Sequence, residues 1–359
     1  MARLNLKVQT GLKPEQANAE MVDDTVDQTG SGERRLWINT VSREVWEGVG
    51  ERERKRQENI NEAIYTERDF VKDLEYLRDV PQPPHPFLPL YIETYVQFWI
   101  IPLSKLDIIP AARRDRFIRT VFGNILDVHS VNSRLAEALT RRQQSSAVVH
   151  QVADIFLEWI PKFEPFIRYG ANQLWGKYEF EKEKSSNPTF ARWVDDVERK
   201  IESRKLELNG YLTKPTTRLA RYPLLLEAIL SHSADDNPDK TELPKAVALV
   251  REFLATVNVE SGKAENKFNL IQLAQQLSVR PGEPNFDLKL TEEGRQILFK
   301  GALARRPVAL GGNNTDGDSL QLFLFDHVLV VVKIKLVNKR ETYRIYRKVT
   351  PTNPCCWRY

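Results

Sequence analysis

From residue 54 to about residue 280, apolar side chains recur at helical spacing. Ile60, Ile64, Val71, Leu74 and Leu77 follow a period of about 3.6 residues. The segments RRDRFIRTVFGNILDVHSVNSRLAEAL, HQVADIFLEWIPKFEPFIRYGANQL, ARWVDDVERKIES and KPTTRLARYPLLLEAIL carry the same rhythm, as does YIETYVQFWI. PQPPHPFLP interrupts the pattern at 81–89. The run from Leu243 to Leu277 predicts one very long helix, on the order of 50 Å at about 1.5 Å per residue. At PGEPNFD the period changes. QILFKGALARR, LQLFLF, VLVVVKI and ETYRIYRKV read as strands separated by turn-forming GGNNTDGD, Asp326-His327 and Asn338. The predicted fold is mainly α, an elongated helical bundle over 54–280, followed by a β-sandwich or barrel over 285–359. Residues 1–32 lack periodicity and are expected to be disordered. Residues 33–53 form an N-terminal extension in which Trp37 and Trp46 are expected to pack into a core. The alternating charges of ERERKRQEN read as the solvated first turns of a helix.

Three segments do not reduce to one apolar stripe. On a wheel of KPTTRLARYPLLLEAIL, Leu219, Tyr222, Leu226, Ile229 and Leu230 form the core face. Half a turn away lie Lys214, Thr217, Arg221, Leu224 and Ala228, with Leu225 on the edge. A cation among small and apolar side chains suits a protein-binding surface. It equally suits a helix whose Leu224 and Leu225 pack on a neighbour while Arg221 snorkels outward. Pro223 leaves one carbonyl unpaired and predicts a kink. In NINEAIYTERDFVKDL, Glu67 falls inside the apolar stripe and calls for a buried arginine. Glu62, Thr66, Asp69 and Asp73 line the open face. Asn258 falls in the stripe of Val247, Val250, Leu254 and Val257, so its amide either bonds inside the core or faces a partner.

Composition narrows the chemistry. With 53 basic and 49 acidic residues the formal charge is +4, too small and too mixed for a nucleic-acid partner. Cys355 and Cys356 are the only cysteines, which excludes a disulfide framework and fits a reducing compartment. FLPLYI and VLVVVKIKLV fall short of the ~20 residues a membrane span needs. A cytoplasmic protein is expected, peripheral to a membrane at most. The five histidines have no metal-ligand spacing, and no Gly-rich phosphate loop or nucleophile elbow is present. No metal, cofactor or covalent active site is expected. Asp195-Asp196 and Asp235-Asp236 read as solvated surface.

TERDFVKDLEYL with Glu62 before it, FIRTVFGNILDVHSVNSRLAEAL and KPTTRLARYPLLLEAI, in that order, resemble the three sequence blocks of a Dbl-homology (DH) domain. FKGALARR and LQLFLFDHVLVVVK resemble the start of the pleckstrin-homology (PH) domain that follows it. RQENINEAIYTERDFVKDLEYLRD and VNVESGKAENKFNL are especially similar to the fungal Rom-type exchange factors for Rho GTPases. The resemblance implies guanine-nucleotide exchange on a Rho-family GTPase, bound in its GDP or nucleotide-free form, in Rho signalling (in fungi, cell-wall integrity and actin polarity). By position in the blocks it implies that Glu62 engages switch I, and that Arg221 and Asn258 support switch II. Leu224 and Leu225 would line the adjoining apolar contact, with Thr66 and Thr217 nearby. Thr217 stands where many members have glutamine. Separately from the resemblance, the basic residues Arg305, Arg306, Lys333, Lys335, Lys339 and Arg340 offer an anionic-lipid surface, which would place the chain at the plasma membrane or cell cortex. The PH part is expected to be incomplete, since VTPTNPCCWRY departs from the pattern. The alternative reading is a phosphoinositide-binding or scaffolding module without exchange activity.

Overall fold

The structure is a computed structural model that describes residues 36–78, 98–279, 287–303, 320–337 and 340–349. Among these residues the helices are α1 (Arg43–Gly48), α2 (Glu51–Arg78), α3 (Ile100–Lys105), α4 (Ala111–Phe122) and α5 (Ile125–Ser145). They continue with α6 (Ala153–Trp159), α7 (Glu164–Ser186), α8 (Pro188–Glu198), α9 (Leu208–His232) and α10 (Asp239–Gln276). The apolar stripe read on α2 is the buried one: Ile60, Ile64, Leu74 and Leu77 are each at most 1% exposed. α2 packs on α5 and α9, and α10 packs on α6, α7 and α9. α9 also packs on α7, and so has neighbours on three sides.

Local chemistry sets the boundaries. FIRTVFGNILDV reads as continuous helix, yet the structure divides it at Gly123, whose φ of +55° is open to glycine and strained for other residues. α8 starts where Asn187 accepts hydrogen bonds from the amides of Thr189 and Phe190, both 3.1 Å, with Pro188 at the first helical position. Pro215 and Pro223 lie inside α9 without ending it. The long helix begins at Asp239, four residues before the expected Leu243, because the buried Asp239 carboxylate is fixed from several sides. It accepts from Val152 N (3.0 Å), Ala153 N (2.9 Å) and Arg56 Nη2 (2.5 Å). Arg56 also donates to the carbonyls of Val149 and His150 and to Ser233. Both charges are fully solvated by protein groups, which is the condition under which a buried pair is tolerated.

The second unit is a sheet ordered β1-β5-β4-β3-β2, with β1 (Leu277–Ser278), β2 (Ile297–Leu303), β3 (Leu320–Phe325), β4 (Leu329–Val337) and β5 (Arg340–Val349). The four longer strands are those read from the sequence, and they pair antiparallel. β1 was not foreseen. The chain leaves α10 and pairs parallel with β5, Leu277 opposite Tyr343. Alternation along β4 buries Val330 and Val332, the period of two expected of a strand with one covered face. Phe323, Phe325, Val330 and Tyr343 pack with Leu270 and Leu273 of α10. Asn266 clamps the same seam, donating to Arg295 O at 2.8 Å and accepting from Ile297 N at 3.1 Å. Residues 1–32, the PQPPHPFLP break, most of YIETYVQFWI, the GGNNTDGD turn and residues 350–359 lie outside the described residues.

Candidate functional site

Beneath the open face of α2 and α9 lies a buried polar cluster. Glu67 is 0% and Arg218 5% exposed. Glu67 Oε2 accepts from Arg218 Nε (2.9 Å) and Nη2 (2.7 Å). The Tyr222 hydroxyl lies 2.8 Å from the same oxygen and 2.9 Å from Asn132 Oδ1, so one proton serves two acceptors. Glu67 Oε1 is buried with no hydrogen-bond partner. Burial pushes the Glu67 carboxyl above its ordinary value, against the downward pull of Arg218 and Tyr222. Burial likewise raises the Tyr222 hydroxyl well above its ordinary value. Glu67 thus has the arginine that its place in the apolar stripe required.

The cluster reaches the surface through Thr66. Arg218 Nη1 donates to Thr66 Oγ1 at 2.9 Å, and that hydroxyl donates to Glu62 O at 2.7 Å. One turn above, Arg221 Nη2 lies 3.8 Å from Glu62 Oε1, and the two side chains are 45% and 40% exposed. At that exposure the pair contributes little to stability, so both groups are available to a partner. Leu224 is 66% exposed, and Thr217 is exposed with its hydroxyl on Thr213 O at 3.0 Å. Thr216 and Val257 both border Gly170. Their sequence neighbours Thr217 and Asn258 are therefore at one level of the bundle. Arg251 Nη2 joins Glu227 Oε1 at 2.5 Å, linking α10 to α9 along the same side.

Several expectations change. Leu225 is 7% exposed and belongs to the core, because α9 is enclosed on three sides and its apolar arc is wider than one stripe. Of the two places left open for Asn258, inside the core or facing outward, the residue takes the second and is exposed. Asp73 is 5% exposed and not on the open face, since Arg204 and Lys214 (Nζ at 2.9 Å) close over it. Arg218, which holds Thr66, was not singled out. Its place on the apolar side of α9, matching Glu67 on the apolar side of α2, was the signal available. Trp37 is buried, its indole donating to Ala147 O at 2.9 Å, while the half-buried Trp46 stacks under Arg54 at 5.3 Å. On the sheet, Lys333 is half-buried above Tyr346 at 5.4 Å and Lys335 is exposed. Arg305 and Arg306 lie outside the described residues. Among the described residues, no group of three or more His, Cys, Asp or Glu side chains could hold a metal. Among them, too, no helix is long and apolar enough to cross a membrane.

A helical bundle with an exposed Glu62–Arg221 face, joined through one long helix to a mainly antiparallel sheet, has the architecture of a DH/PH pair. Residues 59–258 match the RhoGEF domain, and residues 297–353 match a pleckstrin homology domain. The chain belongs to the RhoGEF domain family. It is 57% identical over 319 residues to Rho1 guanine nucleotide exchange factor 1 of Schizosaccharomyces pombe, covering 89% of this chain and 22% of that protein. It is 36% identical over 353 residues to RHO1 GDP-GTP exchange protein 2 of Saccharomyces cerevisiae, covering 98% of this chain and 24% of that protein. The chain thus spans about a quarter of the length of these relatives. The DH/PH fragment of PDZRHOGEF, solved in complex with human RhoA, shares the fold with a TM-score of 0.66 at 20% identity, covering 88% of this chain and 84% of that one.

Proposed function

We propose that this chain is a guanine-nucleotide exchange factor that docks a Rho-family GTPase on the α2–α9–α10 face and promotes GDP release. The carrying observation is the half-exposed Glu62–Arg221 pair beside the 66% exposed Leu224. A carboxylate, a guanidinium and an uncovered aliphatic side chain stand together on a rigid support, with Asn258 on the adjoining helix. In the free protein Glu62 and Arg221 screen one another. In the complex each is handed to a group on the GTPase, Glu62 to switch I, and Arg221 with Asn258 to switch II.

No covalent bond is made or broken in this mechanism. A surface that binds the nucleotide-free GTPase more tightly than the loaded form weakens nucleotide binding by the same factor, and the acceleration is differential binding. The Glu67–Arg218–Tyr222 cluster holds Thr66 and the backbone of Glu62 in place, so little reorganisation is needed at encounter. Support also comes from the domain match and from relatives whose names describe exchange on Rho1. The exposed Lys335 and the half-buried Lys333 on the sheet add an anionic-lipid contact that would hold the chain at a membrane where its GTPase resides.

The test is release of a fluorescent GDP analogue from Rho, Rac and Cdc-type GTPases, with wild type, Glu62→Ala and Asn258→Ala side by side. Glu62→Ala is expected to slow release from the Rho protein by at least about thirtyfold, the cost of truncating one member of a desolvated charge contact. Asn258→Ala is expected to slow it less. Wild-type protein that leaves every GTPase at its spontaneous rate would overturn the exchange reading.

A further inference from the structure

On the far side of α10 from Asn258 the structure has a second concave surface, a groove of about 590 Å³. Its floor is the outward stripe of α7, where Asn172, Trp175, Glu179 and Lys182 follow one another at spacings of three and four residues. One wall is α4, contributing Arg113, Arg116 and Thr120; the other is α10, contributing Lys267 and Ile271. The floor is fixed by a close helix crossing. A Cβ on Gly176 would stand 2.7 Å from Val121 O, so only glycine lets α7 sit this deep against α4. The Trp175 ring is itself held, edge-to-face with Phe268 at 4.9 Å.

The charges in the groove divide into those in use and those without an ion-pair partner among the described residues. Arg113 forms a two-pronged pair with Glu183, and Lys182 lies 3.7 Å from Glu179. Arg116 and Lys267 form no ion pair among the described residues. They stand on opposite walls, and each is exposed toward the groove. Around them the groove offers groups of a different kind: the Glu179 carboxylate, the Asn172 amide oxygen and the Thr120 hydroxyl. The Asn172 amide nitrogen is already committed to Thr120 O at 2.8 Å, which leaves the oxygen as the free end.

We propose that this groove binds a phosphorylated polyol, a sugar or inositol phosphate. Arg116 and Lys267 take the phosphate groups, where charge-assisted hydrogen bonds are strongest. Glu179 and Asn172 accept from ring hydroxyls, which a bare anion site would have no reason to include. The Trp175 face lies against the C–H side of the ring. The volume is that of a small-molecule site. Lys267 is nine residues beyond Asn258 on α10, which is about half a helical turn around and roughly 13 Å along. Occupation of the groove therefore leaves the docking face open. The proposal does not depend on the exchange reading.

The experiment is calorimetric titration of the full chain with three probes: inositol trisphosphate, inorganic phosphate, and phosphatidylcholine vesicles carrying phosphatidylinositol bisphosphate. The variants are Arg116→Ala, Lys267→Ala, their combination, and Glu179→Gln, with thermal melting to show that each folds. The trisphosphate is expected to bind, each single alanine to weaken it about tenfold, and the pair to abolish it. Glu179→Gln is expected to weaken the trisphosphate and leave inorganic phosphate unaffected. Vesicle binding that is weaker in the Arg116/Lys267 pair than in wild type identifies a lipid headgroup as the source, over and above any contact through Lys333 and Lys335; binding of the soluble probe alone identifies a free polyol phosphate. Three results overturn the proposal: no binding of the trisphosphate or the vesicles at millimolar probe, equal binding by wild type and the double variant, or inorganic phosphate binding as tightly as the trisphosphate.

Discussion

Glu67 places a carboxylate with one unpartnered oxygen in the middle of the bundle, and its proton affinity follows from that position. Burial raises the folded value above the ordinary 4.5 of the unfolded chain. The site's contribution to stability is complete below the unfolded value and is lost as pH rises through the folded one. Thermal melting of wild type against Glu67→Gln, which cannot titrate, is expected to shift in favour of wild type as the solution is acidified from neutral toward about pH 5. A difference that stays flat across that range would mean the carboxyl titrates as an exposed one. Single residues were unevenly legible in the sequence. The demand of Glu67 for an arginine was readable because a charge inside an apolar stripe has few solutions. The burial of Asp73 was not, since the cation closing over it, Arg204, comes from 131 residues away. Asn258 sits on the margin of the α10 stripe, where a wheel cannot say whether a neighbouring helix covers it, and it is exposed.

Elements were read well where one face is covered and poorly where several are. α2 has a simple stripe, and the strands of the sheet alternate, so periodicity located both. α9 is enclosed by α2, α7 and α10, so the wheel left Leu225 on an edge between two faces and only the resemblance put it on the docking side. The α4–α5 division depended on one glycine, Gly123, in the middle of an otherwise unbroken apolar rhythm. The α4–α7 crossing depends on another. Gly176→Ala is expected to destabilise the bundle by about 1–3 kcal/mol, because the added methyl meets backbone oxygens that cannot rotate aside. Denaturant unfolding measures this directly, and an unchanged midpoint would mean that α4 shifts without cost.

At the scale of the whole molecule, the two units named from the sequence are both present, but the seam between them was not legible. It consists of a two-residue parallel strand, one asparagine clamp and two leucines of α10 set into the sheet's core. None of these carries a pattern of its own. Asn266→Ala removes both hydrogen bonds of the clamp and leaves Ile297 N without its partner, a loss of about 1–3 kcal/mol at the seam. Hydrogen exchange is expected to quicken at β2 and at the β1–β5 pairing, while α2 and α5 keep their protection. Quickening throughout the bundle would show instead that the two units unfold as one. Because α10 is a single helix from the docking face to the sheet, it acts as a phased axle. Counting residues between Asn258 and Asn266 sets the angle at which the sheet faces a docked partner. An insertion of one residue there turns the sheet by about 100° and carries Phe268 off Trp175, so the packing of α10 on α7 locks the direction in which the sheet's lysines point relative to the Glu62–Arg221 face.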